Sequence, residues 1–295
     1  MNEKPLISIC IPTYNRADCL RDCLNSIVCQ FDDEKVYKQM EVIISDNAST
    51  DNTMCVVKEF QKKFFNIHYH RNDTNIGFDK NLLRVVEKST GTYCMTIGDD
   101  DAYFADCFAK IIEKIRLTEA SYYMLNSWGY DRRLQNQVLS HPNFSIAEDQ
   151  VFDNLAQFVR SIKKYRDLVG YFGGMSNQLF LRDKWMAYDK KNDFVGTQCV
   201  HMYVLLSVCK SCKFIILSEP CVKTRGENMR WNSFGQLGTT MSRVNSTIGA
   251  VIWISKKFEL PISAMRITLY FYFREFWISF KNAVKIVLSK LGLRN

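Results

Sequence analysis

The sequence predicts an α/β fold, a mostly parallel sheet with helices on both faces, followed by an amphipathic helical tail. Three observations lead there. Short apolar, β-branched runs alternate four times with segments whose apolar residues recur at helical spacing, the pattern of β-α units and a parallel sheet. Each apolar run breaks off into a polar loop. A content of 47% hydrophobic and 24% charged residues over 295 positions suits a globular chain with a sizeable core.

The first unit is "LISICI" (6 to 11), which stops at Pro12 and gives way to the helical spacing of "ADCLRDCLNSIVCQF". In the second, an apolar run at 42 to 44 leads through Asp46 and a small polar cluster into "TMCVVKEFQKKF". The third is "FNIHYHRNDTNIG" with "FDKNLLRVVEKS", and the fourth is "TYCMTIGDDD" with "CFAKIIEKIRL".

In such sheets ligands bind outside the carboxyl ends of the strands. The loops at 12 to 16, 45 to 51, 72 to 77 and 98 to 101 therefore converge, although they are far apart in sequence. Tyr14 offers a flat surface for a base, Asp46 an acceptor for base or ribose, and Arg16 a charge suited to phosphate. Asp99, Asp100 and Asp101 repel one another unless water screens them or a cation neutralises them. Their hard oxygens suit a divalent cation that bridges a diphosphate. Taken singly, each feature has a plainer explanation: Tyr14 packs, Asp46 caps a helix, residues 75 to 77 form a turn, and the triplet is a solvated turn. One nucleotide-diphosphate site explains all four loops together.

Composition narrows the rest. Eleven scattered cysteines and a start without a secretory leader predict a reducing, cytosolic setting. Cys209-Lys-Ser-Cys212 is the only C-x-x-C and lacks a second pair, which argues against structural zinc. His68 and His70 alternate within a strand-like run and share one face. Of the net charge of +8, residues 262 to 295 carry +5, from six Lys or Arg and one acid. That confinement, without a binding motif, argues against nucleic acid.

In order and spacing, "ISICIPTYNRADCLRDCLNSI", "VIISDNASTDNT", "NIGFDKNLL" and "GTYCMTIGDDD" resemble the nucleotide-binding half of glycosyltransferase family 2, which has the Rossmann-like GT-A fold. "SNQLFLRDKW", "FVGTQCVHMYVLLSV" and "SEPCVKTRGEN" look like segments of its abequosyltransferase-like branch, which builds bacterial O-antigen. The resemblance implies a nucleotide-diphosphate sugar donor, with an ordinary, deoxy- or dideoxyhexose, and a divalent cation, Mn²⁺ or Mg²⁺. It places Tyr14 and Asp46 at the base and ribose, with Pro12, Thr13, Asn15 and Arg16 beside them and Gly77 to Asn81 facing the nucleotide. The acidic motif of the family has an aspartate, any residue, then two aspartates; here the first falls on Gly98. Asp100 is then the main metal ligand, with Asp99, which also borders the nucleotide, and Asp101 as its companions.

An inverting transfer needs a base for the acceptor hydroxyl. The family commonly supplies it from a Glu-Asp pair near the start of a later helix, yet "VGTQCVHMYVLL" contains no acid. His201 is the nearest titratable group, and an imidazole with a pKa of about 6.5 suits the task; Asp193 is the second candidate. The following "TRGENMRWNSFG" has the composition of a lid over the diphosphate, with Arg225 and Asn228 toward phosphate.

In the tail, Arg266, Arg274, Lys281 and Lys285 fall within about 100° of a helical wheel. A basic amphipathic helix of this kind is expected to lie on an anionic membrane surface, the inner face of the cell membrane, where a lipid-linked glycan acceptor would be found. The expected division is a nucleotide-sugar half (1–120), an acceptor half with the lid (121–261) and the tail (262–295). A homo-oligomer is compatible with the sequence. Two rival readings stand beside a surface-polysaccharide glycosyltransferase. A sugar nucleotidyltransferase would want a glycine-rich phosphate loop, which "PTYNR" lacks, and a sugar-nucleotide-binding protein would bind without transferring.

Overall fold

In the computed structural model, residues 4–161 and 171–226 are described. Asn228, the rest of the expected lid and the tail at 262–295 lie outside them. The chain begins with β1 (Ile7–Thr13), in which every residue is buried. β1 pairs in parallel with β2 (Met40–Asp46) on one side and with β4 (Tyr93–Thr96) on the other, and β2 pairs in parallel with β3 (Ile67–Arg71). Strands covered on both faces read as near-continuous apolar runs, which is why 42 to 44 is unbroken and 6 to 11 is interrupted by a single polar residue, Ser8, itself fully buried.

The strand period of two still sorts the core. Ile7, Ile9, Ile11, Val42 and Ile44 join one apolar cluster, whereas Cys10 and Ile43 join the other. The first cluster takes in α1 (Ala17–Val28), which buries Leu20, Cys23, Leu24 and Ile27 at helical spacing, together with α3 (Thr53–Gln61) and α5 (Cys107–Thr118). A short α2 (Glu34–Tyr37) precedes β2. The second cluster takes in α4 (Phe78–Lys88), α6 (Leu155–Ser161) and α8 (Val200–Val208). Helices thus cover both faces, as expected.

The second half departs from the parallel pattern. β8 (Gln178–Leu181) runs antiparallel to both β4 and β6 (Tyr122–Tyr130), while β9 (Phe214–Arg225) runs parallel to β6. β9 also pairs antiparallel with the short β5 (Ala102–Tyr103) and β7 (Gln150–Phe152). A short α7 (Arg182–Met186) follows β8 and buries Trp185. The result is one nine-stranded mixed sheet in the order β3-β2-β1-β4-β8-β6-β9-β5, with β7 on β9. Because β1, β2 and β4 are parallel neighbours, their carboxyl ends open on the same edge.

Candidate active site

At that edge β1 ends in Thr13, β2 in Asp46, and β4 at Thr96, two residues before Gly98. The register sets Thr13 directly opposite Asp46. The acidic triplet follows Gly98 in a turn closed by Asp101 N–H on the Gly98 carbonyl (3.1 Å). The turn brings Asp99 and Asp100 to one arginine and gives Asp101 separate partners. Asp99 accepts from Thr13 Oγ1 (2.7 Å) and from Arg16 Nη1 (3.1 Å), and the same Arg16 nitrogen reaches Asp100 Oδ2 (2.8 Å). Asp101 accepts from Ser176 Oγ and from the Arg225 N–H (2.8 Å).

The triplet is not a solvated turn. Asp99 is 5% exposed. Burial pushes Asp99 up to about 6, with Arg16 opposing, and pushes Asp101 up to about 7, with the neighbouring Asp100 adding to the effect. Gly98 has a steric reason of its own: a Cβ there would lie 2.7 Å from Asp100 Oδ1.

The loops after β1 and β2 are tied together. Asn15, at φ 51°, donates its N–H to Ser49 Oγ (2.8 Å) and accepts the Thr50 N–H on its side chain (2.6 Å). Asp46 is fully buried and accepts from the Ser49 N–H (2.9 Å) and the Tyr69 hydroxyl (2.5 Å), with Arg71 Nε at 3.6 Å. It therefore braces the turn after β2 and does not cap the helix that follows. Asn47 binds the side chain of Asn75 (2.7 Å) and the Ile76 N–H (2.9 Å), which brings in the loop before α4. Gly77 (φ 82°) turns the chain into α4, and Asn81 donates to the Ser45 carbonyl (2.9 Å). Tyr14 is 39% exposed, while Pro12 is buried in β1.

Two expected residues, Arg225 and His201, have surroundings unlike those their assigned tasks imply, and a third, Asp193, is exposed as a base would need to be. Arg225, expected at a diphosphate, is locked behind the triplet: Nε donates to the Asp100 carbonyl (2.6 Å), Nη1 to the Arg132 carbonyl (2.6 Å) and Nη2 to Asp22 (2.8 Å). Its side chain is only 7% exposed. His201 is buried in α8, with Nε2 donating to the Gly173 carbonyl (3.0 Å) and Nδ1 without a partner among the described residues. Burial lowers its pKa below the usual imidazole value, opposed by that carbonyl and by the charge of Asp79, so the ring is neutral at pH 7. Asp193 lies exposed in the turn of 3-10 helix at Asp189–Phe194.

Comparison with known proteins decides the family. The glycosyl transferase family 2 profile matches residues 8–182, more than half of the chain. The chain belongs to glycosyltransferase family 2. This glycosyltransferase is 32% identical over 236 residues to abequosyltransferase RfbV of Salmonella typhimurium, a match covering 78% of this chain and 70% of that one. It is 28% identical over 111 residues to the GalNAc(5)-diNAcBac-PP-undecaprenol beta-1,3-glucosyltransferase of Campylobacter jejuni, covering 37% and 34% of the two chains. Among solved structures it resembles residues 1–349 of S. aureus TarS in complex with UDP-GlcNAc (TM-score 0.60, 15% identity, 82% of this chain and 65% of that one). The mannosyltransferase PcManGT from Pyrobaculum calidifontis, in complex with GDP-Man and Mn²⁺, is similar as well (TM-score 0.55, 15% identity, 84% and 64%). These likenesses establish the GT-A fold; the chain spans just under two thirds of the two solved chains.

Ser176, Tyr69 and Asp79 escaped the sequence reading. Tyr69 left a trace, since the strand period puts it on the face of "IHYHR" opposite His68 and His70. Ser176 and Asp79 left none, because their partners are 75 and 117 residues away.

Proposed function

We propose that this glycosyltransferase moves a sugar, deoxy- or dideoxyhexoses included, from a nucleoside-diphosphate donor to a lipid-linked glycan, with inversion, in the synthesis of a bacterial surface polysaccharide such as O-antigen or capsule. One observation carries this reading: parallel strands bring Thr13, Arg16, Asp46 and the Asp99–Asp101 triplet, with Asp99 buried, to one sheet edge. The names of RfbV and of the Campylobacter enzyme, and the nucleotide-sugar complexes of TarS and PcManGT, support it.

In this reading Tyr14 and Asp46 flank the base and ribose, with Pro12, Thr13, Asn15, Gly77 and Asn81 shaping their walls. Arg16 lies toward the diphosphate, and Arg225 holds the triplet in place from behind. Among the described residues no three carboxylate, imidazole or thiolate groups converge as a ready-made metal site. A divalent cation fits if it is shared, with Asp100 offering a hard oxygen and the donor diphosphate the others. Burial, with repulsion from Asp100 added, raises Asp99 and Asp101, and a cation beside them would offset the cost of ionising them. When bound, it would stabilise the charge that develops on the departing diphosphate.

Of the two candidate bases, Asp193 has the exposure that an acceptor hydroxyl requires, and His201 does not. The division at about residue 120 separates donor from acceptor side, and residues 262–295 would hold the enzyme on the cytosolic membrane face. No helix among the described residues is long and apolar enough to cross a membrane.

A thermal-shift screen of UDP-, CDP-, GDP- and dTDP-sugars, each with and without Mn²⁺ or Mg²⁺, tests donor and cation together. The reading predicts that one nucleotide class raises the melting temperature and that the cation enlarges the rise. No rise with any nucleotide would refute it.

A further inference from the structure

Asp79 lies in the first turn of α4, two residues after Gly77 and two before Asn81, and is 5% exposed. Its carboxylate is turned away from the strand ends. Oδ2 accepts the N–H groups of Gly196 (2.7 Å) and Gln198 (2.8 Å), and Oδ1 faces that of Val200 (3.4 Å). These amides lead into and open α8, where the first N–H groups of a helix have no partner within it. A carboxylate placed there makes charge-assisted bonds and meets the positive end of the helix dipole. Gly196, at φ 96°, adopts this region readily, but Gln198, at φ 58°, is held in a conformation that side chains other than glycine seldom take.

The other side of the same turn faces the nucleotide loops. Asn81 donates to the Ser45 carbonyl (2.9 Å) and accepts from Ser45 Oγ (2.7 Å), one residue before Asp46. Asn72 adds a third bond to Asn81 (3.0 Å). One turn of α4 thus joins the strand end that carries Asp46 to the start of the helix that carries His201.

We propose that Asp79 is a positioning residue that clamps the 196–200 segment, and with it α8, to the donor loops, so that nucleotide binding orders the start of α8. The proposal rests on the nucleotide site of the preceding section. Both carboxylate oxygens face backbone N–H groups, so Asp79 acts through the segment it holds and not on the substrate. Asn at this position presents an amide nitrogen in place of one oxygen and loses at least one of the three bonds.

Hydrogen exchange read by mass spectrometry tests the clamp without an acceptor. Wild type, Asp79→Asn and Asp79→Glu are each measured alone and with UDP, CDP, GDP or dTDP in the presence of Mn²⁺. In wild type, the nucleotide that binds should slow exchange both at 45–51 and at 196–200. In Asp79→Asn, exchange at 196–200 should be faster by about tenfold, the loss expected for one charge-assisted bond, and should no longer respond to nucleotide, while 45–51 keeps its protection. Asp79→Glu keeps the charge and should fall between the two. A general loss of stability would move both segments together. The clamp is overturned if 196–200 responds equally in wild type and Asp79→Asn, or if it ignores nucleotide in a wild type whose 45–51 segment is protected; the wild-type arm stands even if a variant does not fold. Absence of protection at 45–51 with all four nucleotides would instead overturn the nucleotide site on which the clamp depends.

Discussion

The two halves of the sheet reach the same edge by different means. In the first half, four parallel strands end in polar loops, and neighbouring loops bind one another through short side chains such as Asn15, Asn47 and Ser49. In the second half, the turn before β8 and the end of β9 deliver single groups from a distance: Ser176 and Arg225 close on Asp101 and on the Asp100 carbonyl. The difference teaches that the first half displays the chemistry and the second half holds it in place. Substitutions in the first half should therefore cost binding or transfer, with or without a loss of stability, whereas those in the second half should cost stability and leave nucleotide affinity largely intact.

The largest effect is expected at Asp100, which belongs to the displayed group. Asp100→Ala should lower transfer by about 10²–10³-fold, as for the loss of a principal charge-stabilising group. The check is nucleoside diphosphate release from the donor found by thermal shift, with extracted lipid-linked glycan as acceptor. A variant that turns over like wild type would remove the triplet from the chemistry. Next comes Asp46→Asn, which weakens the contacts with Ser49, Tyr69 and Arg71 at a fully buried position. It should cost about 1–3 kcal/mol in urea unfolding and weaken nucleotide binding as well.

Ser176→Ala strikes the holding half. It leaves Asp101 and the Gly98 N–H each short of a partner, since Ser176 serves both. The expected cost is about 1–2 kcal/mol of stability with nucleotide affinity largely kept. If affinity fell and stability did not, the contrast between the halves would be wrong. The smallest effect concerns pH. Asp99 and Asp101 titrate at about 6 and about 7 in the folded chain, above the usual carboxylate value of 3.8. The native state therefore binds more protons than the unfolded chain between about pH 4 and 7, and stability falls as pH rises through that window. In EDTA the melting temperature should drop by several degrees from pH 5 to pH 8 (~4–8 °C per kcal/mol for a small domain, less for a longer chain). Saturating Mn²⁺ with nucleoside diphosphate should flatten the drop.

Legibility followed the same division. The parallel first half was readable because its strands are near-continuous apolar runs and each polar loop follows its strand within a few residues. β6 was harder, since "YYMLNSWGY" mixes aromatic and polar residues and its pairing with β9 shifts register around Asn126. β8 has only four residues, and β9 carries Pro220 inside twelve, so neither stood out. The same holds for the site. Thr13 and Asp46 end their strands, and Asn15, Arg16 and the triplet lie in the loops beyond, which topology alone gathers. The role of Arg225 could not be read, because its partners, Asp22, Asp100 and Arg132, come from three remote segments. Gly98, in the place of a usual aspartate, became intelligible through the space that Asp100 occupies.

The most direct test of a shared nucleotide and cation site is titration calorimetry of UDP, CDP, GDP and dTDP onto wild type and Asp100→Asn, with Mn²⁺ and in EDTA. Wild type should bind one of the four at least about tenfold more tightly with Mn²⁺, a difference of about 1.4 kcal/mol, and Asp100→Asn should lose that difference. Binding of equal strength in EDTA and Mn²⁺, unchanged by Asp100→Asn, would contradict it.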